Sequence, residues 1–175
     1  MNLAGGHLAP LDEGLRTGSL SSYERLYREQ AGRMKSIAAN LLGNYTEAED
    51  ALHETFIKIF RAAPSFDGRC PIEHWAMRIL VNTCHDMLRR RRPLASIDRL
   101  VQPPRENIAL RAALEKSLAQ LPVRQRTVFL LFEVEGLRHT EIASVMEEPE
   151  GTVRSLLFEA RKALRTMLRP VEARA

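Results

Sequence analysis

The sequence is short of the features that would place it quickly. It has two cysteines, Cys70 and Cys84, which make no disulfide framework, so a reducing cytosol is the simpler setting. No stretch approaches the ~20 apolar residues of a membrane span, and the first residues lack a charged-then-apolar export pattern. A soluble, cytoplasmic protein is expected. There is no GxxxxGKS phosphate loop, no GxSxG elbow, no HExxH and no glycine-rich dinucleotide turn. Catalysis therefore has little support, and no cofactor is implied. The paired acids Glu49-Asp50 and Glu147-Glu148 each fall at or near a predicted helix start, where negative charge suits the dipole. Cys70, His74, Cys84 and His85 fall in one stretch. At 1.5 Å per residue, though, Cys84 lies about 15 Å beyond the first pair, which a zinc site does not span. Sustained strand alternation, internal repeats and low-complexity tracts are missing as well.

What is present is helical. Of 175 residues 45% are hydrophobic, enough for real cores, and a net charge of +4 with pI ≈ 9.4 favours a polyanionic or acidic partner. Residues 1–20, with Gly5, Gly6, Pro10, Gly14 and Gly18, read as a flexible lead-in containing one short helix from Pro10 to Arg16. Ser21 or Ser22 then caps a helix whose core positions are Tyr23, Leu26, Tyr27, Met34, Ile37, Ala38 and Leu41, ended by Gly43-Asn44. Thr46-Glu47-Ala48-Glu49 reads as a capping box. The helix after it places Leu52, Phe56, Ile59, Phe60 and Ala63 on its core side and Asp50, His53, Glu54, Ile57 and Arg61 on another face. An isolated exposed isoleucine is ordinary, but an apolar anchor between acids is also how a small docking face looks.

The segment FDGRCPIEHWAMRILVNTCHDMLRRRRP, from Phe66 to Pro93, carries the most information. At ~100° per residue, Ile72, Ala76, Ile79, Leu80, Thr83 and Met87 share one side, and Arg78, Asn82, His85 and Arg89 another. Arg89, Arg90, Arg91 and Arg92 end it. Cations suit a helix C-terminus, so the run alone would be unremarkable. With Asn82 and Arg78 on the same stripe it reads as a nucleic-acid surface, since Asn can bond an adenine edge while Arg serves phosphate or guanine.

Residues 94–107, with Pro103-Pro104, form a predicted linker. Beyond it come a helix from Ile108 to Leu121 and helices over Val123–Glu135 and His139–Met146. A last helix, capped by Thr152, carries Arg154, Ser155, Arg161 and Lys162. A short helix, tight turn and basic second helix suggest a helix-turn-helix. The fold class is all-α: two small helical domains, residues 21–93 and 108–170, joined by a proline-containing linker and followed by a tail, 171–175.

Taken in order, YERLYREQAGRMKSIAANLLGN, EAEDALHETFIKIFRA and the Phe66–Pro93 segment, then LAQLPVRQRTVFLLFEVEGLRHTEIASVM and PEGTVRSLLFEARKAL, resemble the two domains of the group IV (extracytoplasmic-function) sigma factors of bacterial RNA polymerase. The resemblance implies a DNA-binding initiation subunit that binds core polymerase through the β′ clamp helices and the β flap, and an anti-sigma factor as partner. It assigns core-polymerase contacts to Asp50, His53, Glu54, Ile57 and Arg61, with His53 standing where glutamine is usual. It assigns the −10 element to Asp67, Gly68, Arg69, Arg78, Asn82, His85, Arg89, Arg90, Arg91 and Arg92. Thr152, Arg154, Ser155, Phe158, Arg161 and Lys162 fall to the −35 element. Trp75 is expected to brace its domain. Leu156 and Glu159 replace common arginines, and Glu147-Glu148 a usual glycine and aliphatic residue, so weak or unusual −35 readout is expected. The alternative is a sigma-like mimic that sequesters an anti-sigma factor without initiating transcription.

Overall fold

The computed structural model describes residues 10–91 and 108–172, with side chains over 11–91 and 112–168. Arg92, the predicted linker over 94–107 and the first nine residues lie outside them. The described residues hold eight α-helices and one 3-10 turn, with no strand among them. The all-α expectation holds.

Helix α1 (Pro10–Arg16) has the predicted bounds, but residues 10–20 are no loose lead-in. Leu11 and Leu15, one helical turn apart, are both buried. Gly14 lets α1 lie against the next helix, because a Cβ there would fall 2.0 Å from Ser22 Oγ. Counted in sequence among the glycines of a flexible lead-in, that residue is an approach point.

Helix α2 (Leu20–Leu42) starts after Ser19 rather than at Ser21 or Ser22. Gly43, at φ 67°, closes it in the left-handed conformation, with its N–H donating to Ala39 O. Helix α3 (Tyr45–Ala62) is capped not by Thr46 but by Asn44, whose Oδ1 accepts from Glu47 N at 3.0 Å. A 3-10 turn (Ala63–Ser65) leads into a loop in which Asp67 Oδ1 accepts from Arg69 N, and Gly68 takes φ 70°. Helix α4 (Ile72–Arg90) then packs on α2 and α3. It buries Ile72, Ala76, Met77, Leu80, Val81, Thr83 and Cys84, with Ile79 and Met87 at the core margin. Burial pushes the Cys84 thiol up to about 12, so it behaves as a small hydrophobe. Trp75 stacks obliquely on buried Phe66, centroids 5.1 Å apart, which is the bracing contact.

Two predicted core aromatics are not core. Tyr27 is 52% exposed and Phe60 58%. Helical period placed them on the inward side, but they sit at its edge, on the groove between α2 and α3. There Tyr23 meets Phe60 and Tyr27 meets Phe56, each with centroids 4.8 Å apart.

Helices α5 (Ile108–Gln120), α6 (Val123–Glu133), α7 (His139–Met146) and α8 (Glu150–Glu172) make the second half. α7 has the predicted bounds. α8 begins two residues before Thr152, whose N–H already bonds Pro149 O at 2.9 Å. α7 begins with Glu141, not a hydroxyl, taking the orphan donor. Its Oε2 accepts from Arg138 N and its Oε1 from the Arg138 guanidinium. Those bonds pull the Glu141 carboxyl down to about 2. Leu118, Leu121, Val128, Leu131, Ile142, Val153, Leu157 and Leu164 fill the core of this half.

The two halves lie against each other, α7 on α4 and α6 on α2. The last carbonyls of α2 are held by arginines from elsewhere: Leu42 O accepts from Arg91 and Leu41 O from Arg126, both at 2.7 Å. These are the orphan acceptors of a helix end, where a cation is favoured. Arg126 is 9% exposed and also donates to Ala119 O and Leu121 O, so one guanidinium joins the ends of α2 and α5.

Candidate functional site

Three surfaces correspond to the three sets of predicted site residues. The first is on α3. Asp50, His53, Ile57 and Arg61 are exposed along one stripe, and Glu54 is half-buried among them and paired with Lys58 at 2.8 Å. Beside the stripe runs a groove of about 860 Å³ between α2 and α3. It is lined by Tyr27, Ala31, Leu52, His53, Phe56, Ile57 and Phe60, with Lys35 and Glu49 paired at its rim. Sequence reasoning missed Tyr27 and Phe60 as surface residues. The signal was there: aromatics at the boundary of a hydrophobic arc, next to charged positions, are amphipathic candidates.

The second surface is the α4 stripe with its preceding loop. Asp67, Gly68 and Arg69 are exposed at the loop, and Arg69 pairs with Asp67. Asn82 is exposed. Its two stripe neighbours are occupied by the second half of the chain: Arg78 Nη1 donates to Glu147 at 3.0 Å, and His85 Nε2 lies 2.9 Å from Thr127 Oγ1. Burial, then the nearby Arg89, pushes the His85 imidazole below its ordinary value. The terminal arginines do not act alike. Arg89 pairs with Asp86, and Arg90 is exposed. Arg91, bonded to Leu42 O and to Glu47, is part of the scaffold, which the basic run in sequence did not reveal. Arg92 lies outside the described residues.

The third surface is α8. Arg154, Ser155, Phe158, Arg161 and Lys162 are exposed along it, and Thr152 is partly covered. Phe158, at 64% exposure, is an apolar tip on a polar face, suited to a thymine methyl. Arg154 pairs with Glu150, and Arg161 with Glu133 while lying 5.0 Å over the Phe132 ring. Leu156 is not on this face. It is partly buried and packs against the core of its half. Glu159 is exposed on that face.

No group of three or more His, Cys, Asp or Glu side chains converges as a metal site among the described residues, and no helix among them is long and apolar enough to cross a membrane. The arrangement offers binding surfaces: an apolar groove, a cationic stripe with one amide, and a helix-turn-helix.

Comparison with known proteins agrees with that division. Residues 26–93 match the family model described as Sigma-70 region 2, and residues 111–164 match Sigma-70, region 4. The chain is 31% identical over 180 residues to the RNA polymerase sigma-H factor of Pseudomonas aeruginosa, covering 92% of this chain and 93% of that one. It is 32% identical over 162 residues to the ECF RNA polymerase sigma-E factor of Escherichia coli K12, covering 79% and 84%. Among solved structures, the sigma factor RpoE in complex with the anti-sigma factor NepR, from Bartonella quintana, shares the fold. The TM-score is 0.75 at 20% identity, over 86% of this chain and 98% of that one. A region 2 bundle followed by a region 4 helix-turn-helix defines a sigma-70-family initiation factor. Within that family the chain belongs to the extracytoplasmic-function sigma factors: it directs promoter-specific initiation by RNA polymerase and is not an enzyme.

Proposed function

We propose that the sigma activity is divided among these surfaces residue by residue. The α3 stripe, with Ile57 as its anchor and Asp50, His53, Glu54 and Arg61 as its rim, docks on the β′ clamp helices of core polymerase. The groove beside it supplies the apolar contact area. Exposed Tyr27 and Phe60, clustered with half-buried Phe56, carry this reading. Large exposed apolar clusters rimmed by charge are characteristic of protein interfaces, and this one adjoins Ile57 in the same groove.

Asp67, Gly68, Arg69, Arg78, Asn82, His85, Arg89, Arg90 and Arg92 then take the melted −10 strand. Asn82, with a donor and an acceptor, specifies; Arg89, Arg90 and Arg92 position by charge. Arg154, Ser155, Phe158, Lys162 and Thr152 meet the −35 duplex, with Arg161 contributing from its edge, and the helix-turn-helix half faces the β flap. An anti-sigma factor is the expected regulator, as for the RpoE–NepR pair that shares the fold. The cytoplasm, where core polymerase works, is the corresponding compartment.

The test is binding of purified protein to core polymerase, followed by run-off transcription. Ile57→Ser should weaken core binding ~10-fold, as expected for an interface anchor, with the melting temperature unchanged. Unaltered core affinity in that variant would remove α3 from the polymerase interface.

A further inference from the structure

The region 4 half does more than sit beside the region 2 half; it takes partners from the −10 surface. Among the described residues, five polar contacts between them stand out. Arg78 pairs with Glu147, His85 meets Thr127, and Cys70 lies against the Ser144 hydroxyl. Arg126 reaches Leu41 O, and Arg33 of α2 pairs with Glu135. In the last, the Glu135 side chain is 7% exposed, and a covered carboxylate without its cation is costly.

Glu147 has a second peculiarity. It ends α7 at φ 54° and ψ 41°, and among the described residues it is the one non-glycine residue with positive φ. A side chain pays a steric cost there that glycine avoids. What the glutamate supplies in return is a carboxylate on the Arg78 guanidinium, which is the geometry a phosphate would take.

We propose that the closed packing is an autoinhibited state of this sigma factor, in which α6 and α7 of the region 4 half hold Arg78 and His85 and Glu147 stands in for a promoter phosphate. The inference rests on the −10 reading of the α4 stripe. Asn82 stays exposed between the two held residues, so the closed state withholds Arg78 and His85 from the strand while leaving the specifying amide and the outer arginines, Arg89 and Arg90, exposed. The Arg78–Glu147 pair alone would be too weak to hold the state, since Glu147 is largely solvated. The Arg33–Glu135 pair, with its covered carboxylate, and the α4–α7 packing carry the closure.

The full-length protein tests this with a lock and an opener. Ser144→Cys places a thiol against Cys70, and mild oxidation should join them. Cys84, buried, stays out of the reaction. Arg33→Ala removes the cation from Glu135 without touching α4. The probe is a fluorescein-labelled pool of random 20-nucleotide single strands at low salt. Oxidised Ser144→Cys should bind the pool at least ~10-fold more weakly than the same protein in dithiothreitol, and Arg33→Ala ~10-fold more tightly than wild type, as population shift requires. Glu147→Gln should tighten binding ~2–5-fold, the scale of one exposed pair. Failure of the disulfide to form would show that the closed contact is not populated and would overturn the proposal. So would equal binding by the oxidised and reduced forms, with Arg90→Ala and Arg78→Ala still weakening the reduced form; in that case the −10 reading survives. If those two substitutions leave binding unchanged, the −10 reading itself fails and takes the autoinhibition with it.

Discussion

At the residue scale, a run of like charge divides by what each member touches. Arg89, Arg90 and Arg91 are indistinguishable in sequence, yet Arg91 satisfies a helix-end carbonyl and Glu47 while Arg90 projects into solvent. Arg91→Ala should therefore lower stability by about 1–2 kcal/mol, the cost of losing a charge-assisted bond to a backbone acceptor. Thermal melting measures that. Arg89→Ala with Arg90→Ala should leave the melting temperature alone and weaken all promoters alike. Asn82→Ala should instead flatten discrimination among −10 sequences with little loss of overall affinity. Identical behaviour of the two sets in competition binding would end the division between specifying and positioning. On α8 the same reasoning separates Leu156 from Glu159. Leu156→Arg pushes a cation into a packed margin and should destabilise by about 1–3 kcal/mol. Glu159→Arg should tighten −35 duplex binding and steepen its salt dependence by up to ~0.9 in log–log slope for one new phosphate contact. An unchanged slope would place Glu159 away from the DNA.

At the element scale, the limits of sequence reading follow from which interactions are local. Helix existence and the bounds of α1 and α7 depend on nearby period and breakers, and these were legible. Caps were less so. Asn44 outcompetes Thr46 because it sits one residue before the first helical turn, and α8 starts at Glu150 because Pro149 fits a helix start. Edge positions were least legible: Tyr27 and Phe60 have helical period, but whether a neighbour covers them depends on how α2 and α3 pack. The stripes for the candidate site were visible in sequence because they are properties of one helix. The groove belongs to two helices and was not. A test of the groove is specific to this scale. Phe60→Ser removes a ring that is 58% exposed, so melting should shift little. Core-polymerase affinity should fall ~10-fold if the ring is an interface anchor.

At the scale of the whole molecule, nothing in the sequence announced that the halves would meet, since each contact between them joins residues far apart in the chain. Their meeting makes the closed state sensitive to pH through His85. The groups facing its ring are Asp86 and Arg89 on α4 and Arg124 and Arg126 on α6, with Thr127 as its hydrogen-bond partner. Burial and the three arginines outweigh Asp86 and depress the imidazole below its ordinary value of about 6.5. In the open state the ring is solvated and titrates near that value. Above it both states carry a neutral ring, and the closed state keeps its full stability. As pH falls through about 6.5 the open state takes up a proton that the closed state resists, so closure is progressively lost until the depressed value is also passed. Small-angle scattering should therefore report a larger radius of gyration at pH 5.5 than at pH 7.5. His85→Gln, which keeps a hydrogen bond to Thr127 but cannot titrate, should stay equally compact at both. An expansion that persists in His85→Gln would assign the acid response to another group.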